Sequence, residues 1–124
     1  MGSKRAATAL LSFRVAYGIA LLTAPGKVAG NRWLGPGANQ PAATVALRGL
    51  GAREVAIHGI ALTELARGRP VRRYLAASIV GDLADITAAF ASRDSLPSGS
   101  PTATATVAGT SAALTAAVAA TLDS

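Results

Sequence analysis

The sequence predicts an all-α fold: a four-helix transmembrane bundle with both termini in the cytoplasm. Three observations carry this. Four apolar stretches approach the ~20 residues that cross ~30 Å of hydrocarbon. Clusters of Pro, Gly, Asn and Ser separate them. Basic residues gather at the ends of the stretches, and more of them on one side.

The stretches run over about 6–24, 42–66, 74–91 and 102–122. Together they make 1–124 a single integral membrane domain. Pro25-Gly26 ends the first, and Asn39-Gln40-Pro41 precedes the second. Arg67-Gly68-Arg69-Pro70 forms a tight link to the third, and Pro97-Ser98-Gly99-Ser100-Pro101 precedes the fourth. None of the four shows the wide charged face of a helix packed against a water-soluble core. The first stretch resembles a signal peptide in its basic start, Lys4-Arg5. Arg14 interrupts its apolar run, however, and Pro25-Gly26-Lys27 is a poor cleavage context, so it reads as a retained helix.

The chain is 51% hydrophobic, yet its mean hydropathy is only +0.40, because the apolar stretches are rich in Ala, Thr and Gly rather than Leu and Ile. There is no cysteine, which excludes disulfides, thiolate metal sites and a cysteine nucleophile. The net charge of +6 does not mark a nucleic-acid partner, because the basic residues flank apolar stretches. Lys4, Arg5, Arg67, Arg69, Arg72 and Arg73 fall on one side, against Lys27, Arg32 and Arg93 on the other. The positive-inside rule then puts the termini in the cytoplasm and makes the 25–41 loop external. Trp33-Leu34 in that loop is suited to anchor at the membrane interface. Small residues every fourth position are expected to form packing ridges: Ser12, Ala16, Ala20 and Ala24; then Ala77, Gly81, Asp85 and Ala89; then Gly109 and Ala113.

Six charges sit inside the stretches: Arg14, Arg48 and Arg53 against Glu54, Asp82 and Asp85. A charge at bilayer depth is costly, so it turns inward and pairs, or it serves a function. From the helical rise, Arg14 and Asp82 lie at roughly 12–15 Å depth, and Arg53, Glu54 and Asp85 at roughly 18–20 Å. Arg14 can therefore meet Asp82, and Arg53 or Glu54 can meet Asp85. Arg48 lies near the external interface, within reach of that surface. Asp82 and Asp85 share a helix face, as do Glu54 and His58. Adjacent Arg53 and Glu54 diverge by about 100° and address different neighbours. Three roles suit this cluster: a structural ion-pair network, a carboxylate/His metal site, or a proton or substrate pathway. A single His, and arginines competing for the carboxylates, weigh against the metal.

Asp82-Leu83-Ala84-Asp85 resembles the Asp-x-x-Asp opening of membrane CDP-alcohol phosphotransferases. Ile86 and Ala89-Phe90 depart from that pattern at once, and the later aspartates are missing. No phosphate loop, Ser/His/Asp set or HExxH is present. Through Arg14-x-x-x-Gly18, Arg48-Gly49-x-Gly51-x-Arg53-Glu54 and Asp82-x-x-Asp85, the chain as a whole resembles small four-helix integral membrane proteins of actinobacterial type. More distantly, it is similar to the DoxX-like group. The resemblance implies fold and location, not a reaction or a cofactor. The expected role is that of an accessory or scaffolding subunit in the inner (plasma) membrane, as a homo-oligomer or within a larger complex. The alternative is a carrier or redox-linked protein using the Arg14, Arg48, Arg53, Glu54, His58, Asp82 and Asp85 cluster.

Overall fold

Proline and glycine set the element boundaries. The computed structural model describes residues 2–30 and 33–122, with no strand among them. Helix α1 spans Gly2–Thr23, and α2 is a single turn, Pro25–Ala29. A 3₁₀ turn, Gly35–Asn39, leads to α3, Pro41–Ala66. Helix α4 spans Arg72–Ala91; a short 3₁₀ turn at Arg93–Ser95 follows, then α5, Ser100–Thr121. Arg32, counted above among the basic residues of the long loop, lies outside the described residues.

Pro25 and Pro41 open α2 and α3, and Pro101 is the second residue of α5. In a first turn a missing N–H costs nothing, because that donor has no partner inside the helix. Helix α3 ends in a Schellman closure. Arg69 N–H donates to the Glu64 carbonyl at 2.9 Å and Gly68 N–H to that of Leu65 at 3.0 Å. Gly68 takes φ +71° there, a conformation that a Cβ would strain.

Helices α1, α4 and α5 are each long and apolar enough to cross a membrane. Helix α3 is the longest, at 26 residues, but it carries Arg48, Arg53, Glu54 and Glu64. Helix α1 packs along α3, and α4 along α5. The two pairs meet more sparsely through α1–α5 and α3–α4, so the long helices form a ring.

The core has two apolar ends with a polar layer between them. Ala7, Leu11, Ala61, Leu65, Val71 and Leu75 fill the end that holds the N-terminus. Leu21, Ala29, Ala38 and Leu47 fill the other, with Trp33 and Leu34 of the loop packed against them. Between them lie Arg14, Glu54 and Asp82, each no more than 6% exposed. Outside, Phe13, Val45 and Val80 are 66–73% exposed. Charge within and large apolar side chains without is the reverse of a water-soluble helical protein, and it matches a hydrocarbon surrounding.

The buried stripes only partly follow the expected small-residue ridges: Ala89 is buried and Gly81 half-buried, but other members are not. Helix α1 buries Ala7, Leu11, Arg14, Gly18 and Leu21, while Ser12 and Ala16 face outward. Helix α4 buries Leu75, Ser78, Asp82 and Ala89, with Ala77 exposed; α5 buries Ala108 and Ala112, with Ala113 exposed. In α1 and α4 the buried face is the one that carries Arg14 and Asp82. Alanine fits either face, so its spacing carries no direction.

Glycine lets the backbones of α1 and α3 touch. A Cβ built on Gly18 would lie 2.7 Å from the Gly51 carbonyl oxygen, and one on Gly51 would lie 2.6 Å from that of Gly18. Neither site admits any side chain without moving α1 from α3.

Candidate functional site

Arg14 is the centre of the polar layer. Its Nε donates to Glu54 Oε2 and its Nη2 to Glu54 Oε1, both at 2.9 Å. Nη1 donates to Asp82 Oδ2 at 2.8 Å, and Nη2 to Asp82 Oδ1 at 2.7 Å. Nη1 also reaches Thr115 Oγ1 at 3.4 Å. A guanidinium has five N–H donors, and here each has an acceptor. One side chain therefore binds two carboxylates bidentately, and it ties α1 to α3, α4 and α5 at one level. Depth alone suggests the Arg14–Asp82 pair; Glu54 joins the same guanidinium rather than the Asp85 level.

Arg53 lies beside this triad. Its Nη2 donates to Asp85 Oδ2 at 3.1 Å and stands 4.0 Å from Glu54 Oε1. Both side chains are about a third exposed, at 38% and 32%. The Arg53 guanidinium lies over Gly81, where a Cβ would stand 3.5 Å from it, at ordinary contact distance.

His58 is fully packed. Its Nδ1 lies 2.7 Å from the Glu54 carbonyl oxygen and its Nε2 lies 2.8 Å from Ser78 Oγ. A carbonyl only accepts, so Nδ1 donates; Nε2 of the neutral ring then accepts from the Ser78 hydroxyl. Both nitrogens are occupied, which suits a residue that locks α3 to α4. No group of three or more His, Asp or Glu among the described residues could hold a metal ion.

Arg48 stands apart from the seam. It is exposed, and its Nε donates to the Leu22 carbonyl at 3.2 Å, in the last turn of α1. Arg72 does the same for Ala119 of α5, and Arg93 for Phe90 of α4. These arginines donate to carbonyls in the last turns of helices, where intrahelical donors run out; the Ala119 carbonyl also accepts Leu122 N–H at 3.3 Å. The equal count of charges expected from the sequence therefore does not hold at the seam. Arg14 and Arg53 face Glu54, Asp82 and Asp85, two positive charges against three negative.

A cavity of about 850 Å³ reaches this layer. Arg14, Glu54, Asp82 and Asp85 line its charged side. Phe13 and Val107, both more than half exposed, line its apolar rim on α1 and α5. Trp33 and Gly99 line it from the two loops at the end away from the termini. Thr104 of α5 also borders it, 7% exposed, and its hydroxyl has no hydrogen-bond partner. Thr8, Thr63, Thr87 and Thr106, by contrast, each donate to the carbonyl four residues back.

Sequence reasoning singled out every ionic member of the layer but none of Ser78, Thr104 and Thr115, nor Tyr17, which also lines the cavity. A usable signal was present. Steps of three or four residues from Asp82 reach Ser78 and Leu75, which are both buried. Steps from Arg14 reach Gly18 and Leu21, or Leu11 and Ala7, which is the whole buried stripe of α1. No family model, curated protein or solved structure matches the chain.

Proposed function

We propose that the chain is a multi-pass plasma-membrane protein whose four long helices form a transmembrane bundle. Its cavity binds an amphipathic small molecule taken from the bilayer. The observation that carries this is the cavity itself, charged on the inside and apolar at an exposed rim. Such a lining holds a polar head inward and leaves an apolar tail toward the membrane. The Arg14–Glu54–Asp82 triad fixes the helices that shape it.

Purification in mild detergent, followed by mass spectrometry of everything retained, tests the reading. The expected result is one small molecule at about one per chain, depleted in an Ala103→Phe variant whose ring narrows the cavity. Loss of the molecule only on denaturation, with equal retention in the variant, would place it elsewhere.

Exposed Lys4, Arg5, Arg67, Arg69, Arg72 and Arg73 on the terminal end support cytoplasmic termini. The chain lacks cysteine, so Ser3→Cys and Ser98→Cys each give a single label. An impermeant maleimide applied to intact cells should modify Cys at 98 and spare Cys at 3. Modification of both from outside would overturn the topology.

A second reading, an accessory subunit or homo-oligomer, is favoured by one observation. Ser12, Ala16, Ala77 and Ala113 present small side chains on the outside, where another membrane helix can approach closely. A stoichiometric protein in the same purification, with no small molecule, would select it.

A further inference from the structure

We infer that the molecule held in this cavity is a lipophilic cation, an ammonium group carried on an apolar body. This rests on the reading of the cavity as a ligand site and adds the charge of the ligand.

Arg14 is the only cation among the lining residues, and all of its donors are already placed on Glu54, Asp82 and Thr115. At Arg14 an anionic head would have to take those donors from buried carboxylates, leaving them unpaired. Acceptors, by contrast, are in surplus. Asp85 receives Arg53 on Oδ2, and no described residue donates to its other oxygen. The Thr104 hydroxyl, nine-tenths buried at the same cavity, also lacks a partner. An ammonium group brings N–H donors for these oxygens and one positive charge. That charge cancels the single excess negative charge left by two arginines against three carboxylates. Tyr17, Trp33 and Phe13 border the same space, and aromatic faces attract a cation there.

The test uses the full-length protein in phosphatidylcholine nanodiscs, with the single tryptophan, Trp33, as the fluorescent reporter. Decylammonium, decanol and decanoate share one chain and differ in head charge. The expected result is saturable binding of decylammonium about tenfold tighter than either companion, the scale of a charge-assisted hydrogen bond. Asp85→Asn should erase the preference, and Asp85→Glu, which keeps the charge if the first variant folds poorly, should retain it. Equal binding of all three, or a preference for decanoate, would overturn the cation and leave the cavity reading standing. No saturable response to any of them would overturn both. A decylammonium response that persists in Ala103→Phe would be adsorption to the bilayer and would equally overturn the assignment.

Discussion

Arg14→Leu is expected to remove about 3–5 kcal/mol of stability, the scale of breaking one side of a buried ion pair. Glu54 and Asp82 would lose every arginine hydrogen bond they receive, and both are almost fully buried. The lost links run from α1 to α3, α4 and α5, so all the long helices lose their common register at once. The readout is folded yield in detergent together with the thermal midpoint. Arg14→Lys should fall between the two, because an ammonium cannot serve two carboxylates bidentately. The triple change of Arg14, Glu54 and Asp82 to Leu should recover most of the midpoint, since well-packed apolar groups replace buried ion pairs at little cost. Wild-type yield and midpoint in Arg14→Leu would show that the triad does not hold the fold. Failure of the triple variant with good recovery in Arg14→Lys would show that charge, rather than packing, is what this level requires.

Much of the architecture is legible in the sequence because its strongest signals are local. Pro25, Pro41, Gly68 and Pro101 mark helix ends by backbone geometry alone, and the observed long helices begin one to four residues before the expected stretches. The direction each helix faces is harder. In water, the apolar stripe points inward and periodicity reveals it. Here the outward faces carry Phe13, Val45, Val80 and Leu114, as apolar as the inward ones. Only side chains that need partners break the symmetry. Arg14, Glu54, His58 and Asp82 mark the inside of α1, α3 and α4, whereas α5 has no charge within its span and meets the layer through Thr115. The small-residue ridges misplace Ser12, Ala16, Ala77 and Ala113 for this reason. Arg48 misleads in another way: along the sequence it resembles Arg53, yet it sits where the end of α1 offers an open carbonyl, and that partner is set by a neighbouring helix. The pairing of Glu54 with Arg14 likewise depends on how α1 slides along α3, which no local pattern encodes.

That sliding is fixed at the glycine contact, where the second large effect is expected. Gly51→Leu should cost about 3 kcal/mol or more, the upper range for an added side chain in a packed interior. Its Cβ alone would meet the Gly18 carbonyl oxygen at 2.6 Å and Leu21 Cβ at 2.9 Å. Both lie on the body of α1, so no rotamer change relieves the overlap and the helices must separate. Glu54 is one helical turn from Gly51 and Arg14 one turn from Gly18, so separation also stretches the ion pairs that stabilise the polar layer. Gly18→Ala and Gly51→Ala should each destabilise. The double variant should cost less than the sum, because the first displacement makes room for the second methyl. Gly49 and Gly59 supply the contrast on the same helix. A Cβ on either meets nothing, so Gly49→Ala and Gly59→Ala should raise stability by up to about 1 kcal/mol through backbone entropy. Thermal midpoints of these six variants test the contact as a set. If Gly51→Ala behaved like Gly49→Ala, α1 and α3 would not touch at this crossing, and the alignment of Arg14 with Glu54 would need another cause.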